Sequence, residues 1–342
     1  MSQLPFRSFE KVGGCKHSRS DVITNWDASR EARWTLDNIG EARVGIRDQA
    51  KSIADKVGLT FIVRSVQRRR RRRALRDAQI NPLTLDQLAA QLRSLGVVEG
   101  DAVMLHSSLS SLGYVEGGPE TVLDALISVL GQQGTLLVPT YPVADWSMEN
   151  LRNLPVSEPA SPSQMGAITN CLLKREGAVR SLHPTHSWSG IGRDAEYLLR
   201  DHHQSITPCG PDSPFDRLLE IDGSVMILGS PWGSCTFWHA IEDRIEFPFN
   251  VYHMEEFAAR VRFPDGEIRR IPFKLHDPEL VALRIDSDED HAQFTLDRMR
   301  SYGLVREGAV GFGIAFLLGA REFLEGQKLL LEDGITAYKG MP

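Results

Sequence analysis

From Pro82 onward the chain alternates short, continuous apolar runs with longer segments whose apolar residues recur at helical spacing. "TLDQLAAQLRSLGV" predicts a helix between Thr84, a candidate N-cap, and Gly96, a candidate C-cap. "DAVMLHSSL" predicts a buried strand that runs into a loop at His106. "GGPETVLDALISVLG" predicts a second helix, opened by Pro119 at its first position and stopped at Gly131. "GTLLVPTYP" and "GSVMILGSPWGS" predict two further core strands, one closed by prolines and one by glycine, and "CTFWHAIEDRI" follows as helix. Asp265-Gly266 sits between "FAARVRFP" and "EIRRIPFKL" as the turn of a hairpin. "DEDHAQFTLDRMRSYG" and "GFGIAFLLGAREFLEGQKLLLED" predict the last helices.

Strands alternating with helices predict an α/β fold, a layered α/β/α domain with a mixed central sheet over residues 81–342. Function in such folds gathers at loops that follow strand carboxyl ends. Those loops here carry "HSSLSSLG", "PTYP" and "GSPWGSCTFWH", and "RSLHPTHSWSGIG" (residues 180–192) reads as one more polar loop. Residues 1–80 differ: they are polar and helix-permissive with few large apolar residues, and predict a helical or partly disordered N-terminal extension. That extension ends in an unbroken basic run, Arg68 to Arg73. The run is either a solvated tether or a contact for an anionic partner or membrane surface.

Composition narrows the function classes. The chain has 342 residues, 42% hydrophobic and 25% charged, with a formal net charge of −6, so its bulk charge does not favour nucleic acid. Its four cysteines form no C-x-x-C pair, which argues against a zinc knuckle or a disulfide framework and for a reducing, cytoplasmic setting. No apolar run approaches the roughly 20 residues that span a bilayer. The first residues lack the apolar centre of a secretory signal.

Several chemistries are open to the histidines. His183 and His186 bracket Pro184, which allows both on one helical turn only at a helix start, so they make a poor metal clip. His239 and Glu242 form an H-x-x-E pair, but no second E-x-x-H completes a di-metal motif, and no metal is expected. No G-x-S-x-G elbow, G-x-G-x-x-G turn or P-loop is present. Phosphate fits best at "HSSLSSLG", ahead of the helix that begins at Pro119.

Read together, four blocks resemble the aminoglycoside 3-N-acetyltransferases. They are "LHSSLSSLGYVEGGPETVLDALISVLGQQGTLLVPTYP", "MGAITNCLLKREGAVRSLHPTHSWSGIGRDAEYLLRDH", "GPDSPFDRLLEIDGSVMILG" and "TFWHAIEDRI", in order across residues 82–330. The resemblance implies a fold unrelated to the GNAT acetyltransferases, acetyl-CoA as co-substrate and no metal. It implies transfer of acetyl to an amine of an aminosugar or aminoglycoside-like acceptor by direct attack on the thioester. It also implies an acyltransferase of the antibiotic-resistance kind, or one serving surface-polysaccharide biosynthesis.

On that resemblance His183 is expected as general base and Glu242 as the carboxylate that orients it, with His106 and His239 also in the catalytic set. His186 is left out of that set as a loop hydrogen-bonder, and Ser187 carries no case for a nucleophile. CoA is expected at Ser107, Ser108, Leu109, Ser110 and Ser111, with Thr185, Ser187 and Ser213 as further contacts. Ser110 or Ser111 stands where the family often has an arginine for the cofactor phosphates. "DSDEDHAQFTLD" offers an acidic surface to a cationic acceptor, or simply the charges of a helix start. A homodimer is compatible with all of this. Two other classes stand beside the transferase: a non-catalytic CoA- or partner-binding member of the fold, and a histidine-based metal hydrolase.

Overall fold

A computed structural model describes residues 82–341 of the protein. The expected extension over residues 1–80, its boundary with the domain, and the arginine run lie outside the described residues. The elements follow one another as α1 (Leu85–Leu95), β1 (Ala102–Ser107), α2 (Pro119–Leu130), β2 (Thr135–Pro139), α3 (Met148–Arg152), α4 (Ala167–Leu172), β3 (Val179–Arg180), β4 (Trp188–Gly192), α5 (Ala195–Leu199), α6 (Pro214–Glu220) and β5 (Ser224–Leu228). After a 3₁₀ helix at Thr236–Ile241 come β6 (Phe257–Arg262), β7 (Ile268–Phe273), α7 (Pro278–Val281), α8 (Glu289–Ser301), β8 (Arg306–Val310), β9 (Gly313–Gly319) and α9 (Ala320–Glu332).

Seven strands form one mixed sheet in the order β3-β4-β2-β1-β5-β9-β8, and β6 pairs with β7 in a separate hairpin. The three central strands run parallel, β2 with β1 and β1 with β5. Strands β4 and β9 flank them antiparallel. The central strands are buried on both faces, which explains why they read as unbroken apolar runs instead of an alternating pattern. One face packs Val103, Leu105, Leu136, Met226 and Leu317 against α1, α2 and α4. The other packs Met104, Leu137, Val225, Ile227 and Leu318 against α5, α6, α8 and α9. The result is the expected α/β/α layering.

Local signals explain the element ends. Thr84 closes a capping box with Gln87, whose side chain accepts from the Thr84 amide at 3.0 Å. Gly96 takes the left-handed conformation that ends α1, at φ 105°. Pro119 opens α2 and Gly131 closes it.

Three segments differ from the sequence-based expectation. "RSLHPTHSWSGIG" is no simple loop: Arg180 pairs with Ser189 across a β3–β4 hairpin, and β4 is a sheet strand against β2. "GFGIAFLLG" is strand β9, not helix: its apolar run, largely buried from Ala315 to Leu318, pairs with β5 and β8, and the helix begins only at Ala320. "TFWHAIEDRI" is a 3₁₀ helix over Thr236–Ile241, not an α-helix. Strand β8 was not expected at all; its "REGAV" is polar and largely exposed, as an edge strand allows.

Leu105 is fully buried at the centre of the parallel strands. Leu105→Ala should destabilise the domain by about 2–5 kcal/mol, since the surrounding elements cannot close over the lost volume. Chemical denaturation of the two proteins side by side measures this.

Candidate active site

The 3₁₀ helix after β5 determines the centre of the site. In that geometry residues i and i+3 eclipse, so Thr236, His239 and Glu242 fall in line on one face. His239 Nδ1 donates to Glu242 Oε1 at 2.8 Å. Tyr338, near the C-terminus, donates its hydroxyl to the same oxygen at 2.8 Å. His276, which follows β7, donates from Nε2 to Glu242 Oε2 at 2.7 Å. The Glu242 side chain is fully buried. Burial alone pushes its carboxyl up, but the two imidazoles and their hydrogen bonds outweigh this and hold it well below the ordinary carboxylate range. Glu242 is therefore ionised and accepts from every partner named. Burial also lowers the pKa of His239, and the adjacent carboxylate opposes that shift.

A second line of groups continues from Thr236. Tyr141, in the loop after β2, donates its hydroxyl to Thr236 Oγ1 at 3.1 Å. Thr236 Oγ1 lies 3.4 Å from Nε2 of His106, the penultimate residue of β1, opposite Ile227 of β5. The His106 ring stands edge-on to Trp188, and burial takes its pKa down to about 3. His186 packs against Tyr141 and the half-exposed Trp146. Loops from the carboxyl ends of β1, β2 and β5 thus meet the β3–β4 turn around Thr236 and His239, where α/β folds carry ligands.

His183 stands apart from Glu242, and the expected pairing of the two is not made. Its Nδ1 accepts the backbone N–H of His186 at 3.0 Å and of Thr185 at 3.3 Å. The ring stacks on His202 at 4.6 Å between centroids, and burial lowers its pKa to about 3. With Nδ1 used as an acceptor the proton sits on Nε2, which is buried without a hydrogen-bond partner among the described residues. Pro184 brings the backbone round so that the turn bonds to the imidazole, and both oxygens of Glu242 are already taken by other segments.

The expected cofactor hydroxyls divide into two groups. Ser108, Ser110 and Ser111 cluster after β1, with Ser108 Oγ 3.0 Å from Ser111 Oγ and 3.4 Å from Ser110 Oγ. Ser111 lines a cleft of about 750 Å³ whose walls include Gly229, Trp232, Phe312 and Phe316. Ser107 and Leu109 flank this cluster, Ser107 at the end of β1 opposite Leu228. The remaining three are used inside the protein. Ser213 is fully buried as the N-cap of α6, accepting from the Asp216 amide. Ser187 donates to Thr140 O at 2.9 Å and accepts from Arg180. Thr185 is fully buried and bonds His186 Nδ1 at 2.9 Å. All three hydroxyls are engaged within the protein, and none of them lines the cleft beside Ser111.

His239, Glu242 and His276 also form the one group of His, Cys, Asp and Glu among the described residues close enough to share a metal ion. The atoms that face one another, His239 Nδ1, His276 Nε2 and the two Glu242 oxygens, are already hydrogen-bonded at 2.7–2.8 Å. An ion at roughly 2.0–2.2 Å from each would have to break both hydrogen bonds and the Tyr338 contact. The donor set fits a hydrogen-bonded carboxylate better than a metal.

Four members of this site escaped the sequence reading: Tyr141, Thr236, His276 and Tyr338. Thr236 had a signal, its spacing of three from His239. "PTYP" pointed to the loop but not to the tyrosine. The lone His276 in "FKLHDPEL" and Tyr338 in "ITAYKG" carry no pattern that aims them at Glu242.

Comparison with known proteins agrees with the fold and the family resemblance. A family model described as aminoglycoside 3-N-acetyltransferase matches residues 104–332. Aminoglycoside N(3)-acetyltransferase VII of Streptomyces paromomycinus is 33% identical over 294 residues, covering 78% of this chain and 98% of that enzyme. The crystal structure of aminoglycoside acetyltransferase AAC(3)-Xa matches with a TM-score of 0.65 at 32% identity, covering 78% of this chain and 98% of that one. The binary complex of AAC-IIIb with CoASH matches with a TM-score of 0.63 at 25% identity, covering 76% of this chain and 98% of that one. The chain belongs to the aminoglycoside 3-N-acetyltransferase family, a family of acyltransferases.

Proposed function

We propose that the protein transfers the acetyl group of acetyl-CoA to an amine of an aminoglycoside or related aminosugar, with His239 as general base and Glu242 as its carboxylate partner. The observation that carries this reading is the 2.8 Å bond from His239 Nδ1 to a buried, ionised Glu242. It leaves the lone pair on His239 Nε2, which has no hydrogen-bond partner among the described residues. An aminosugar amine is mostly protonated at neutral pH and attacks only as the free base. The amine nitrogen bonds to the thioester carbonyl carbon, its excess proton passes to His239 Nε2, and the thiolate departs and is protonated as CoASH. Imidazolium formed at His239 is stabilised by the Glu242 charge. His183 is a weaker candidate because the protein already uses its Nδ1 as an acceptor and keeps its Nε2 protonated.

The cleft beside Ser111 suits the donor. One part of its wall is aromatic and aliphatic, with Trp232, Ile314, Phe312, Phe316 and Leu296, as an uncharged pantetheine arm requires. Of its two acidic lining residues, Asp286 and Glu289, Asp286 is paired with Arg284 at 2.6 Å. The solved complex of a relative with CoASH supports a CoA-using reading, and the names of the curated relatives support an aminoglycoside acceptor.

Thiol release from acetyl-CoA in the presence of an aminoglycoside tests the assignment. His239→Ala should lower kcat by roughly 10²–10⁴-fold, the usual contribution of a positioned base, whereas His183→Ala should cost far less. The opposite ranking returns the base to His183. A chelator should leave the rate unchanged; loss restored by zinc would favour a metal hydrolase, and CoA binding without turnover would favour a non-catalytic member.

The base acts only when unprotonated, so kcat/KM falls as pH drops through the His239 pKa. Because burial lowers that pKa, the acid limb should lie below the unperturbed value of about 6.5. Ser111→Trp should raise the KM for acetyl-CoA and leave that for the amine unchanged, since the indole would fill the cleft. Initial rates with each substrate varied in turn measure both.

A further inference from the structure

We propose that His276 is a positioning residue for the transfer: its Nε2–H fixes the second oxygen of Glu242 and thereby aims the first at His239. The proposal rests on the assignment of His239 as base. A carboxylate gripped at only one oxygen can turn about its terminal bond, which is broad and roughly two-fold. Gripped at both, it presents Oε1 to His239 Nδ1 in one orientation. The two bonds are nearly equal, 2.8 Å to His239 and 2.7 Å to His276, and the rings of the two histidines lie 4.2 Å apart.

His276 is itself built into place. Its backbone forms an antiparallel bridge with Tyr252, flanked by His253 N–H to Leu275 O and Asp277 N–H to Val251 O, each at 2.9 Å. The Asp277 side chain then caps α7. The His276 ring packs against Tyr252 at 5.2 Å, and its side chain is 7% exposed. The bridge holds the backbone, and the Tyr252 and His239 rings pack against the imidazole while its Nε2 sits on the Glu242 carboxylate.

The effect on the base has a definite sign. Donation by His276 draws the carboxylate's charge toward Oε2 and away from the oxygen that faces His239, and an additional positive charge at His276 would oppose imidazolium at His239. The other titratable or charged groups near the pair are Tyr338, Tyr252, Asp243, Cys209, Arg284 and His186. None of these except Tyr338 bonds to Glu242. Loss of the His276 bond should therefore raise the His239 pKa while loosening the geometry of the pair.

Steady-state kinetics of the full chain with acetyl-CoA and an aminoglycoside test this across pH. His276→Ala should lower kcat by roughly ten- to a hundredfold, the value of one charge-assisted hydrogen bond, with KM for both substrates little changed. Its acid limb should move to higher pH. His276→Gln can place an N–H₂ where Nε2 stood and should restore both kcat and the limb, whereas the shorter His276→Asn should not. The Gln and Asn pair decides the matter if the alanine variant fails to fold, as thermal melting would show. A wild-type limb and rate in His276→Ala, a rate loss without a moved limb, or Gln behaving as Asn would each overturn the proposal. If His239→Ala keeps full activity, the assignment of the base fails instead, and the two failures are told apart by that one variant.

Discussion

The structure around the site depends on one buried charge. Removing a carboxylate from water costs several kcal/mol even after relaxation, and the cost is offset only when hydrogen bonds satisfy its oxygens. Glu242 draws those bonds from three separate stretches of chain: His239 on its own 3₁₀ helix, His276 beyond the β6–β7 hairpin, and Tyr338 at the C-terminal end. Each donor reaches it only if its segment is folded in place. The carboxylate thus ties the hairpin exit and the chain end to the loop that follows β5.

The same constraint links fold to chemistry. The parallel strands β2, β1 and β5 end their carboxyl edges together, so His106 near the end of β1, Tyr141 after β2 and Thr236 after β5 come within hydrogen-bond reach. The 3₁₀ winding then carries the line from Thr236 through His239 to Glu242 by eclipsing every third side chain. An α-helix would rotate successive i, i+3 positions apart and spread these three groups over a wider face. The tighter helix is what lets one edge of it touch both the strand ends and the buried carboxylate.

Much of this architecture was legible in the residues, and the reason differs by element. The parallel strands announced themselves because burial on both faces demands unbroken apolar runs, as in "AVMLHS" and "SVMIL". Thr84, Gly96, Pro119 and Asp265-Gly266 marked element ends because capping and turn chemistry is local. Strand β9 reads as helix in the sequence because a short apolar run has the same composition in either state. The site was legible in part. His239 and Glu242 were named by their spacing, yet the expected partnership joined Glu242 to His183, because spacing says nothing about which distant side chain a carboxylate will meet. His276 and Tyr338 were invisible for the same reason: they reach Glu242 only through tertiary pairing of segments that are separately unremarkable in sequence. The internal partners of Ser213, Ser187 and Thr185 were equally hidden, because a capping serine and a binding serine are the same residue until their partners are seen.

For His239 to act as base, Glu242 must hold it with its proton on Nδ1 and its lone pair on Nε2. Nitrogen-15 NMR of histidine-labelled protein at a pH above the imidazole titration reads this directly from the shifts of the two ring nitrogens. The account predicts that the His239 signals, assigned by their loss in His239→Ala, report the Nδ1–H tautomer, and that Glu242→Gln perturbs it. A His239 that carries its proton on Nε2 in the native protein would contradict the account, because the ring would then have no lone pair to offer an incoming amine.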